Sequence, residues 1–143
     1  KIIPSYLVGY DLTLKSFEKA NKLNIKNILV PHFGLLTTEE SRFYLGKGKE
    51  NAIETAKEIL ESLRNQKSKE EILNQFKAKY YDEKVKSIYP IDAMELNTNI
   101  MINLVEKELF KNELNCLITL FKEVIDNTTA IDVDDEEDDE KEG

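Results

Sequence analysis

An α/β fold is predicted by two observations, a short apolar run that ends in Pro31-His32-Phe33-Gly34 and the helical patterning on either side of it. Ile25 to Val30 is almost continuously apolar, which suits a strand covered on both faces, and Pro31 forbids further ladder donation. The strand's end carries the only histidine of the chain, His32. Strand ends mount side chains at the rim of a rigid support, so function is sought there first.

The preceding helix is expected to be capped by Asp11 or Thr13, to carry Leu14, Phe17, Ala20 and Leu23 on one face and to end near Asn24. After the strand, Thr37-Thr38-Glu39-Glu40 has capping-box spacing and should open a long helix from about Thr38 to Asn65. Gly46 and Gly48 interrupt its pattern at a cost of about 1 kcal/mol each relative to Ala, while Leu45, Ala52, Ala56, Ile59, Leu60 and Leu63 continue the stripe. Ser68-Lys69-Glu70-Glu71 repeats the box and leads into a helix bearing Ile72, Leu73, Phe76 and Tyr80. A break is expected over residues 81–90, followed by one long or two consecutive helices through Met94, Met101, Leu104, Leu109, Leu117, Phe121 and Ile125.

At 143 residues the chain is long enough for one core. Its net charge of −8 argues against a binder of phosphate backbones, so neither nucleic acid nor an anionic membrane is an expected partner. Much of that charge lies in Asp132 to Glu142, a run that repels itself, has almost nothing to bury and is expected to be a disordered tail. That run lacks the Asp-x-Asp-x-Asp-Gly order of a calcium loop. No run approaches the ~18 apolar residues of a membrane span. Cys116 is alone, which excludes an intramolecular disulfide and fits a cytoplasmic setting; within its apolar run it reads as a small buried hydrophobe. Without an initiator Met, the chain reads as a piece of a longer protein.

Ile3-Pro4-Ser5-Tyr6, Asp11 to Leu23, Ile28 to Gly34, Leu36-Thr37-Thr38-Glu39-Glu40 and Tyr44-Leu45, in that order, resemble the C-terminal half of a metallo-β-lactamase-fold metallohydrolase. In that family a helix leads to a strand ending in a Pro/Gly-His-x-Gly turn, followed by Leu-Thr and a capped helix. The resemblance covers roughly Ile3 to Glu108. It implies part of an αββα sandwich with a mostly helical extension, divided into residues 1–65 of the metallohydrolase domain, a helical extension over 66–131 and the tail over 132–143.

By the same resemblance His32 is the family's last metal-binding histidine, helping to hold the second ion of a two-zinc site. Tyr6 and Phe33 become candidate cleft residues, although a Tyr in an apolar context such as Tyr6 is more often a core residue with a satisfied hydroxyl, and Phe33 reads similarly as packing. The implied reaction is hydrolysis of an ester, thioester, lactone or similar bond in a small-molecule substrate by metal-activated water. The family's His-x-His-x-Asp-His motif and bridging aspartate are expected upstream of Lys1, and Asp11 is read as a helix cap rather than as that aspartate. One ligand cannot build a dinuclear site, so these residues alone are expected to be inactive. The alternative is a non-catalytic helical interaction domain, compatible with homo-oligomerisation, because Leu109 to Ile125 is apolar on more than one face.

Overall fold

The computed structural model describes residues 6–31 and 34–134. Their element order is α1 (Tyr10–Lys22), β1 (Leu29–Val30), β2 (Gly34–Leu35), α2 (Thr38–Arg64), α3 (Lys69–Tyr80), α4 (Glu83–Lys86), α5 (Ile91–Val105), a π-helical turn (Glu106–Phe110) and α6 (Lys111–Asp134). Two compact units result, Lys1–Phe110 and Lys111–Gly143.

Both capping boxes form. Thr37 accepts from the Glu40 backbone N–H at 3.3 Å while the Glu40 carboxylate accepts from Thr37 N–H at 2.8 Å, and Ser68 and Glu71 repeat the exchange at 3.3 and 2.7 Å. These bonds satisfy orphan backbone donors and start α2 and α3 where the spacing predicts. Donation to the ionised carboxylates holds both Glu40 and Glu71 below the ordinary glutamate range. Asp82 caps α4 by accepting from Val85 N–H at 2.9 Å, supplying a short helix within the expected break.

α1 starts earlier than the sequence suggests. Its N-cap is Gly9, which brings no side-chain acceptor, and neither Asp11 nor Thr13 occupies that position. The Glu108 carboxylate serves instead, accepting from Tyr10 N–H at 3.0 Å and from Asp11 N–H at 3.1 Å. Thr13 Oγ1 donates to the Gly9 carbonyl at 2.7 Å.

The core of the first unit lies between helices. Ala52, Ala56, Ile59 and Leu63 of α2, Ile72 and Phe76 of α3, and Met101, Ile102 and Val105 of α5 form one buried cluster with Tyr6, flanked by Leu14, Leu109 and Phe110. This cluster runs across residue 65, so α3 and α5 share one core with α2. Small residues on α2 set how closely α1 approaches. A Cβ on Gly48 would stand 2.9 Å from Phe17 Cε1 and Cζ, whereas one on Gly46 would meet nothing within 4 Å.

The αββα sandwich is not formed. The described residues are mostly helical and contain one two-stranded antiparallel sheet, with Leu29 opposite Leu35 and Val30 opposite Gly34. The apolar run from Ile25 does not extend as a strand because its backbone is engaged elsewhere: Ile25 N–H donates to the Leu23 carbonyl at 2.8 Å and Ile28 N–H to Ser41 Oγ at 3.0 Å. Coverage on both faces also fails, since Leu29 is 73% exposed. No helix among the described residues is long and apolar enough to cross a membrane. The acidic run from residue 135 onward lies outside the described residues.

Two predictions follow from these contacts. Gly46→Ala should raise stability by up to about 1 kcal/mol, whereas Gly48→Ala should lower it by about 1 kcal/mol or more because the Phe17 ring must move; urea unfolding compares the two. Glu40 and Glu71, with folded values below the ordinary 4.5, add stability that is present above that pH and is lost as pH falls through the lowered folded values. The double variant Glu40→Gln/Glu71→Gln should therefore flatten the acid limb of a plot of urea midpoint against pH.

Candidate functional site

The strands that flank residues 31–33 are tied to α2 as well as to each other. Each strand is two residues long, too short for independent stability. Beyond the Leu29–Leu35 and Val30–Gly34 pairs, Leu36 N–H donates to the Ile28 carbonyl at 2.8 Å and Asn27 Nδ2 donates to the Leu36 carbonyl at 2.8 Å. Ser41, 1% exposed in the first turn and a half of α2, accepts from Ile28 N–H. The capping box at Thr37 fixes where that turn begins, and Ser41 then ties β1 to it.

Gly34 adopts φ 131°, a conformation that side-chain-bearing residues rarely take, and reverses the chain into β2. Between the paired Val30 and Gly34 the sequence runs Pro31-His32-Phe33. His32 and Phe33 lie outside the described residues.

Tyr6, the other candidate cleft residue, is fully buried in the helical core. Its ring meets Tyr10 edge-to-face at 5.4 Å between centroids, and its hydroxyl has no hydrogen-bond partner among the described residues. Thr55 stands beside it but donates to the Asn51 and Ala52 carbonyls at 2.8 and 3.2 Å. Burial pushes the Tyr6 phenol well above its ordinary value. It is a neutral core group there and lines no open cleft among the described residues.

Zinc requires several nitrogen, sulfur or oxygen ligands converging on one point. Among the described residues, which do not include His32, no group of three His, Cys, Asp or Glu side chains is placed to hold a metal ion. Asp11 pairs with Lys15 at 2.5 Å on the surface of α1. Cys116 is exposed, contrary to its reading as a buried hydrophobe, as are the apolar residues around it on α6.

A concavity of about 840 Å3 lies along α2 and α3. Leu60 and Phe76 supply apolar lining, and Lys57, Glu58, Arg64 and Lys79 charge its rim. Glu58 is paired with Lys79, and Glu61 accepts from Arg64 at 3.4 Å.

Glu108 is the positioning residue that sequence reasoning missed. A π-helical turn carries it to the start of α1, 98 residues away in sequence from Tyr10. Its only sequence signal is negative, the absence of a side-chain acceptor at Gly9.

Comparison with known proteins finds no matching family model, no similar curated protein and no similar solved structure.

Ser41→Ala should remove the acceptor of the partly buried Ile28 N–H and cost about 1–3 kcal/mol. Hydrogen exchange should show faster exchange at Ile28 and Leu36 with α3 unchanged.

Proposed function

We propose that this chain contributes His32 to the metal site of a zinc-dependent hydrolase, the remaining ligands coming from polypeptide beyond these 143 residues. The observation that carries the reading is the local order of elements: helix α1, a short strand, Pro31 and His32, a return strand opened by Gly34, then Leu36 and the boxed start of α2. Apart from the return strand, that order is the one the metallohydrolase resemblance calls for.

A further support is the outward face of the hairpin. Leu29 and Leu35 sit opposite each other at 73% and 70% exposure, an apolar cross-strand pair of the kind that additional polypeptide covers. The substrate class is a small molecule bearing an ester, thioester, lactone or similar bond, the cofactor is a pair of zinc ions, and the setting is cytoplasmic. The role of this chain's other residues is support: Ser41, Asn27 and Gly34 set the strand ends that flank His32 in the sequence.

A second reading, a non-catalytic helical interaction domain, is favoured by the exposed apolar residues of α6.

The test uses the full-length gene product with and without His32→Ala. Zinc per chain, measured by plasma mass spectrometry, should fall in the variant. Hydrolysis of a panel of thioesters, lactones and phosphoesters should drop roughly 100-fold or more, since even loss of a ligand's hydrogen-bonding partner costs 10–100-fold. Unchanged zinc content and no hydrolysis by either protein would reject the hydrolase in favour of the interaction domain.

A further inference from the structure

Within the second unit, α6 carries a continuous apolar stripe. Leu114, Leu117, Ile118, Phe121, Val124 and Ile125 are each between 43% and 67% exposed. Their spacing alternates fours and threes, through 114, 118, 121 and 125 and through 117, 121 and 124, which keeps all six on one side of a helix of 3.6 residues per turn. Cys116, Thr119 and Glu123 fall on the other side. A stripe with this alternation is the surface on which one helix receives another as knobs into holes.

We infer that α6 pairs, antiparallel, with α6 of a second copy of this chain. The six side chains expose roughly 700 Å2 per copy, an upper bound on what a helix pair buries and of the order of the ~800 Å2 that each partner contributes to a standard interface. A second α6 carries the same alternation, and a two-fold arrangement uses the one patch twice. The other prominent exposed apolar pair, Leu29 and Leu35, sits on two-residue strands and presents no helical seam.

Charge sets the direction. The sequence from Asp132 to Glu142 holds nine carboxylates and one lysine, equal to the whole net charge of −8. A parallel pair would bring two such runs level with each other, where like charges repel. An antiparallel pair sends them to opposite ends of a 24-residue helix, about 36 Å apart.

This inference is independent of the hydrolase reading and is tested on the 143-residue chain without metal or substrate. Sedimentation velocity from low to high micromolar concentration should show the mass rising from 16.6 kDa toward twice that value. Ile118→Glu/Phe121→Glu should hold it at the monomer mass, whereas Thr119→Glu, on the same helix but off the stripe, and Leu29→Lys/Leu35→Lys, on the hairpin, should dimerise like the parent.

For direction, Cys116 is changed to Ser and nitroxides are placed at Asn112→Cys and Asn127→Cys. In mixed samples the 112-to-127 distance between copies should be shorter than the 112-to-112 distance. A parent chain that stays monomeric at every concentration overturns the proposal. So does a stripe variant that still dimerises, or a hairpin variant that does not. A 112-to-112 distance shorter than the 112-to-127 distance overturns the antiparallel arrangement.

Discussion

The close approach of α1, α5 and the π-helical turn to one face of α2 is the constraint on which the rest of the first unit depends. That face runs through Gly48, Ala52, Thr55, Ala56, Ile59 and Leu63, all buried, and its first half is made of small residues. Small side chains let neighbouring helices pack at short separation, so the larger groups that fill the core, Tyr6, Phe76 and Met101, come from other parts of the chain. Gly48 is the extreme case, because the Phe17 ring occupies the space a Cβ would need. Its helix-propensity cost is thus the condition for docking α1, whereas Gly46 has no such neighbour.

Docking alone would leave the start of α1 with unsatisfied donors, since Gly9 carries no capping side chain. The π-helical turn resolves this. One extra residue per turn shifts the face that the chain presents after α5, and Glu108 is brought onto the Tyr10 and Asp11 N–H groups. A carboxylate at a helix N-terminus also meets the positive end of the helix dipole. The start of α1 and the end of the first unit are therefore held by one charge-assisted contact, which joins the two ends of its described chain around α2.

What could be read in the sequence is what is encoded locally. The boxes at Thr37 and Ser68 each specify a helix start within four residues, and α2 and α3 begin where they indicate. The stripes Ala52-Ala56-Ile59-Leu63 and Ile72-Phe76 are buried as their periodicity implies. The misses depend on partners distant in sequence. Glu108 caps α1 from 98 residues away, and Ser41 takes the Ile28 N–H out of any ladder. The sandwich expectation failed for a related reason. An apolar run such as Ile25 to Val30 records a preference for burial, but a strand exists only where a neighbour accepts its hydrogen bonds, and here β2 does so for two residues.

That shortness bears on how any group between Val30 and Gly34 is held. A two-residue ladder contributes little rigidity of its own, and its outward leucines gain nothing from burial in this chain. Rigidity must come from outside the ladder, and the described contacts locate its source: the Ser41 hydroxyl on α2, the Asn27 amide on the Leu36 carbonyl and the capping box two residues beyond β2. The Ser41 bond fixes the base of the hairpin to a helix start, where the backbone geometry is itself set by satisfied donors. The base of the hairpin therefore takes its support from the N-terminus of α2, and the packing that seats α2 in the helical core is what would have to change for that support to move.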